Sequence, residues 1–180
     1  MGFDIRKAVP GDAAAACALL RRSIELGCKA DHQDQPAVLE AWLGNKTAAN
    51  VATWFANPSN HALVAERVDG DRGELLGLCL LTQAGKLALC YVSPQALRSG
   101  IGRALIAAAE EQARAWNIKK LHLHSPASAS AFFERQGYVN AGKDKSCWGL
   151  ECDLLWKPLD AVCETGPGAA ASKRFCNCAG

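Results

Sequence analysis

The sequence predicts an α/β fold built on a central mixed, mostly antiparallel sheet of about six to seven strands. Three observations carry that expectation. Short apolar runs punctuated by glycine and proline recur from Phe3 to Trp156. Two of them flank Asp69-Gly70-Asp71-Arg72-Gly73, a strong hairpin signal. A long amphipathic segment from about Gly100 to Trp116 separates two others, which marks one parallel crossover in the second half of the chain.

Phe3 to Val9 reads as the first strand, and Pro10-Gly11-Asp12 ends it with Asp12 placed to cap a helix. Cys17, Leu20, Ile24 and Cys28 recur at helical spacing, so that helix buries one face. Lys29 to Gln35 reads as a polar turn, Pro36 opens a short helix containing Trp42, and Thr47 caps another that runs to about Phe55. His61 to Arg67, Glu74 to Thr82 and Lys86 to Val92 read as strands. The long helix then carries an apolar stripe at Leu105, Ala109, Ala113 and Trp116. Leu121-His122-Leu123-His124 alternates as a strand, Ser125-Pro126 opens a helix to Arg135, and Gly137 stops it. Tyr138 to Val139 and Cys147 to Trp156 close the sheet. From Asp160 to Gly180 the sequence is rich in Gly, Ala and Ser without periodicity, which predicts a tail.

A chain of 180 residues with 49% hydrophobic residues can bury the core of one domain. Its net charge of +2 is too small for electrostatic binding of nucleic acid, so no nucleic-acid partner is expected and any bound anion needs a local device. No apolar run approaches the length of a membrane span, and the N-terminus does not resemble a leader, so a cytoplasmic protein with no membrane partner is expected. Arg6 stands where a myristoylation signal needs Ser or Thr. Nine cysteines without regular spacing point to reduced thiols. No CxxC pair exists, Cys176-Asn177-Cys178 being the closest spacing, so no metal is expected.

The informative stretch runs from Tyr91 to Leu105: a strand, a turn, Gly100 and Gly102, then the long helix. Two glycines let the backbone approach a bound group, and the unpaired amides of the helix start then face it. No acidic residue occurs between Gln95 and Ala109 although a helix N-terminus favours one, whereas Arg98 and Arg103 both occur there. A P-loop is excluded because Arg103 follows Gly102, and a dinucleotide fingerprint fails because Leu105 stands where its third glycine should.

The order Val92-x-Pro94, then Arg98-Ser99-Gly100-Ile101-Gly102-Arg103-Ala104-Leu105, then Ala129-x-x-Phe132-Phe133-Glu134-Arg135-Gln136-Gly137-Tyr138 resembles motifs A and B of the GNAT (Gcn5-related N-acetyltransferase) family. The resemblance covers roughly Ile5 to Pro158 and is strongest from Leu89 to Tyr138. It implies the GNAT fold, with helices on both faces of the sheet, in a domain over residues 1–158 and a tail over 159–180. It also implies acetyl-CoA as cosubstrate and an acetyl group passed to a primary amine of a small molecule or peptide, by a monomer or homodimer. Carried over, Arg98, Ser99, Gly100, Ile101, Gly102, Arg103 and Ala104 become pyrophosphate contacts, Tyr91 and Val92 pantetheine contacts, and Phe132 and Phe133 further cofactor neighbours. Two departures stand out. Leu97 replaces the usual polar residue at the start of the loop motif. Phe133 stands where the family often has a tyrosine that protonates the departing thiolate.

Transfer to an amine needs a route for the lost proton and a donor for the developing oxyanion. A strand amide near Tyr91 is the candidate donor, which makes Tyr91 and His124 the candidate catalytic residues. His124 ends the strand beside the expected slot, and histidine is the residue type suited to exchanging a proton near neutral pH, although a strand histidine can equally be structural. Cys90 between Leu89 and Tyr91 reads as packing. The acceptor wall in this family comes from the first helices, which brings in Glu25, Asp31, His32 and Trp42; a solvated loop and a core indole are the competing readings. Two other functions stay open. One is a non-catalytic acyl-CoA sensor, motivated by Phe133; the other is a general nucleotide-binding protein.

Overall fold

The computed structural model describes residues 2–69, 73–145 and 149–159. Its elements are β1 (Phe3–Lys7), α1 (Ala13–Arg22), α2 (Lys29–His32), α3 (Pro36–Leu43), α4 (Ala48–Ala56), β2 (Asn60–Arg67), β3 (Leu75–Thr82), β4 (Leu87–Val92), α5 (Ile101–Ala115), β5 (Lys120–Ser125), α6 (Ala127–Arg135), β6 (Val139–Lys145) and β7 (Glu151–Pro158). Strands β1-β2-β3-β4 form one antiparallel sheet and β5-β7-β6 another. Among the described residues they join at one parallel bridge, Lys86 with His122, where the His122 amide donates to the Gly85 carbonyl at 2.9 Å. Beyond that bridge β4 and β5 part, and a cavity lies in the gap. The mixed sheet, the crossover β4-α5-β5 and helices on both faces match the expected fold class.

The continuous apolar run of β3 is explained by burial on both faces. Leu78 and Leu80 pack with α1 and α4, while Leu76, Cys79 and Leu81 pack with α5. Gly77 is needed for close approach, because a Cβ there would come within 2.8 Å of the side chains of both Ile101 and Leu105. The stripe of α5 is buried as its spacing predicts, with Leu105, Ala109 and Ala113 at 0% exposure. Trp116 is the C-terminal cap residue and only partly buried; its ring meets the edge of His61.

Two local expectations are corrected. Asp12 makes no side-chain cap of α1. Its carboxylate instead accepts the Val9 amide at 2.8 Å and both terminal nitrogens of Arg6 at 2.8 and 2.9 Å, because a bidentate guanidinium competes better than a helix amide. The polar stretch after Cys28 is not an open turn but contains α2, closed by Gln33 and Asp34 in left-handed conformations at φ +50° and +54°. Thr47 caps α4 as expected, accepting the Asn50 amide at 3.2 Å. The hairpin turn at 70–72, Cys147 and the tail from Asp160 lie outside the described residues. Leu159, the last described residue, is buried and donates its amide to the Lys119 carbonyl at 2.8 Å.

Candidate functional site

The gap between β4 and β5 is a cavity of about 540 Å³. One wall is β4 from Leu87 to Val92, the other Leu123 and His124 of β5. The loop before α5, the aromatic pair of α6 and the segment after α1 complete it. That last segment, Ser23–Gly27, is a π-turn, and Ser23, Gly27 and Cys28 all reach the cavity. Local π geometry of this kind turns side chains off the regular helical register.

One end gathers unpaired helix-start amides and exposed arginines. Gly100 caps α5 with φ +89° and has open space where a Cβ would stand. The Ala104 amide is the first to bond back, to Gly100 at 3.0 Å, so the amides of Ile101, Gly102 and Arg103 precede the helical ladder. A Cβ on Gly102 would lie 3.0 Å from the Phe132 ring, so that glycine keeps the helix start flat against α6. Arg98, at φ +62°, and Arg103 are exposed beside these amides and have no carboxylate partner among the described residues. Arg135 lines the same cavity from α6, a cation that the reading of the loop alone did not single out. The Ser99 hydroxyl donates to Ala96 at 2.6 Å and fixes the turn.

The middle of the slot is strand backbone. The Ser93 amide donates to Leu76 at 2.8 Å, which makes Gly77 with Val92 and Cys79 with Cys90 the non-hydrogen-bonded pairs of the β3-β4 ladder. Tyr91 therefore points its own amide at β3, whereas the amides of Cys90 and Val92 point into the slot. The strand amides that face the slot near Tyr91 are therefore those of its two neighbours. The Val92 carbonyl is occupied by the Ser23 hydroxyl at 3.1 Å. Burial raises the Tyr91 phenol above its usual range, helped by Cys28 and opposed by Trp42. Cys90 packs partly against the core beside buried Cys79. Phe133 is buried edge-on between Phe132 and Tyr138 and brings no hydroxyl to the slot.

His124 lines the cavity from the end of β5, and its Nε2 lies 3.1 Å from Asp144 Oδ2 on β6. The imidazole holds the Asp144 carboxyl below its usual range. His122 faces the same side further down the strand, where desolvation, with Lys86 adding to it, lowers its pKa.

The four acceptor-wall residues are placed very differently. Asp31 spans to α6: its carboxylate accepts the Ser128 amide at 3.1 Å and also the Ser128 hydroxyl. Ser128 itself lines the cavity. His32 is 1% exposed, accepts the Asp34 amide on Nδ1 at 3.1 Å and so donates from Nε2 to Ile24 at 3.2 Å. Trp42 is buried with Ile24, Cys28 and Leu43. Glu25 is exposed on the π-turn and does not line the cavity. Ser23, Ser128 and Arg135 on the cavity wall and Asp144 beside His124 were not singled out by sequence reasoning; their placement depends on contacts between segments far apart in the chain.

A model of the acetyltransferase (GNAT) domain matches residues 28–152. No significant match was found among curated proteins. Solved structures share the fold: a Gcn5-related N-acetyltransferase from Rhodopseudomonas palustris aligns with a TM-score of 0.77 at 24% identity, over 88% of this chain and 97% of that one. The PaiA N-acetyltransferase from Thermoplasma acidophilum, in complex with coenzyme A, gives 0.72 at 19% identity, over 88% and 99%. The yncA structure from Salmonella typhimurium with its cofactor acetyl-CoA gives 0.64 at 17%, over 98% and 100%. With the family model spanning more than half of its length and the slot between β4 and β5 in place, this chain belongs to the GNAT acetyltransferase family and is an acyltransferase.

Proposed function

We propose that the protein transfers an acetyl group from acetyl-CoA to a primary amine of a small molecule or peptide, by direct attack in a ternary complex. The observation that carries this reading is the unpaired start of α5, flanked by Arg98 and Arg103, opening directly onto a slot lined by free strand amides. Amides from Ser99 to Arg103 and the two arginines hold the pyrophosphate, with Ala104 closing the first helical turn beside them. Tyr91 and Val92 align the pantetheine arm through the strand backbone, with Phe132 and Phe133 against its other side. An outward amide of Cys90 or Val92 receives the negative charge that develops on the thioester oxygen. His124 takes the proton of the attacking amine. Asp31 borders the acceptor entrance, Glu25 stands on the exposed π-turn beside it, and buried His32 and Trp42 shape that wall from behind.

The missing hydroxyl at Phe133 favours a second reading, an acyl-CoA sensor without turnover. In the catalytic reading solvent supplies the thiolate proton. Residues 1–158, with the buried Leu159 that follows them, carry the activity in this reading, and the aperiodic sequence from Asp160 onward is not needed for it. No described helix is long and apolar enough to cross a membrane; a cytoplasmic monomer or homodimer is the setting we propose, without metal.

Calorimetric titration with CoA tests the site. Wild-type protein binds it, and Gly100→Asp loses at least about tenfold in affinity because a carboxylate meets the phosphates at the helix start. Equal affinity in both proteins contradicts the assignment of the loop.

A further inference from the structure

We propose that Asp144 is a positioning residue that fixes the tautomer of His124, leaving the lone pair on Nδ1 free to accept the substrate proton. The proposal rests on His124 as the proton acceptor and adds how the ring is held. Its foundation is the register of the second sheet. His124 lies opposite Leu154, and Asp144 lies opposite Cys152, two residues along β7 on the same face. Asp144 thus shares a face with His124, and Oδ2 meets Nε2 at 3.1 Å. A carboxylate only accepts, so the proton of a neutral imidazole sits on Nε2. Among the described residues Nδ1 has no hydrogen-bond partner.

A bulge makes this arrangement. Asn140 pairs with Leu155, but Lys143 pairs with Asp153, so one extra residue is inserted between them. Gly142 takes φ +120° there, and its amide donates to the Asn140 side chain at 2.8 Å. Without the insertion the register would place Lys143 opposite Cys152, and an ammonium rather than a carboxylate would face the histidine. Lys143 instead pairs with Glu151 on the other face. The edge strand spends its irregularity at the one place that changes the sign of the charge presented to His124.

The ionisable groups lining the cavity with His124 are Cys28, Cys90, Tyr91, Arg98, Arg103 and Arg135; Lys120 and His122 lie further down β5 with Lys86 bridged to His122, and Asp144 on β6 and Cys152 on β7 share the face of His124. Asp153 turns to the opposite face, where its carboxylate accepts the Ser130 hydroxyl. The first arm of the test needs no known acceptor. Nitrogen-15 spectra of the histidine side chains are recorded across pH for the full chain and for Asp144→Asn, with His124→Ala assigning the signal. The expected result is an Nε2–H tautomer in the wild type and a lower titration midpoint in Asp144→Asn, since the carboxylate stabilises the charged ring. With acetyl-CoA and an accepted amine, Asp144→Asn lowers kcat roughly 10- to 100-fold, moves the acidic limb to lower pH and leaves the KM for acetyl-CoA unchanged; Asp144→Glu recovers part of the rate. An Nδ1–H tautomer, or a midpoint untouched by Asp144→Asn, overturns the positioning role while leaving His124 as the base. Full activity in His124→Ala overturns the base itself, and the two failures are distinguishable.

Discussion

His124→Ala should lower the acetylation rate by roughly 10²- to 10⁴-fold with little change in CoA affinity, because the imidazole ends β5 at the slot while the anion site is built from α5. His122→Ala should be mild, since that ring lies beside the Gly85 bridge and outside the cavity. Initial rates of thiol release check both, and a His124→Ala enzyme keeping a third of the wild-type rate at neutral pH would move the search for a base elsewhere. Gly102 makes a second residue-scale case. A Cβ there would stand 3.0 Å from Phe132, so Gly102→Asp both pushes α6 away and aims a carboxylate at the anion site. Gly100→Asp meets open space but must hold φ +89°, so both variants should lose CoA affinity, one by crowding α6 and the other by straining the helix start; parallel titrations check it, and unchanged affinity in either variant contradicts the loop assignment.

Helix starts and strand ends depend on polar contacts that reach between elements. Asp12 ties β1 to the turn before α1 through Arg6 and Val9, and those hydrogen bonds, led by Arg6, hold its carboxyl below the ordinary value of 3.8. A carboxyl depressed on folding contributes stability that is present above the unfolded-state value and lost as pH falls through the folded-state one. Asp12→Asn should therefore cost about 1 to 2 kcal/mol at neutral pH, and the gap to wild type should close in acid; denaturant midpoints on both sides of the carboxylate range measure it. Asp31 acts likewise on α6, capping Ser128 from a segment 97 residues away. Asp31→Asn should weaken that cap by roughly 0.5 to 1 kcal/mol and raise the acceptor KM more than the acetyl-CoA KM. Equal changes in both KM values would place Asp31 outside the acceptor wall.

Across the whole molecule, the parts legible in the sequence were those whose burial is periodic. The stripe of α5 and the doubly buried β3 follow from apolar spacing, and the anion loop shows in two glycines and two arginines where acids belong. What sequence order could not supply was contact between distant segments: Arg6 reaching Asp12, Asp31 reaching Ser128, and the strand register that points the amides of Cys90 and Val92, rather than that of Tyr91, into the slot. Asn140-Ala141-Gly142 is a turn-like interruption that signals a bulge, but only the pairing with β7 shows that it delivers Asp144 to His124. Deleting residues 160–180 should leave activity within a few-fold, because that stretch of sequence lacks core-forming periodicity; the truncated protein's turnover and melting temperature check this. The central claim is tested most directly by incubating the full chain with acetyl-CoA and a panel of primary amines, following free thiol and the mass of each amine. The account predicts thiol release that depends on an amine, matched by one acetyl group on that amine and abolished in Gly100→Asp; tight CoA binding with no acetylated product from any amine would contradict it and leave the sensor.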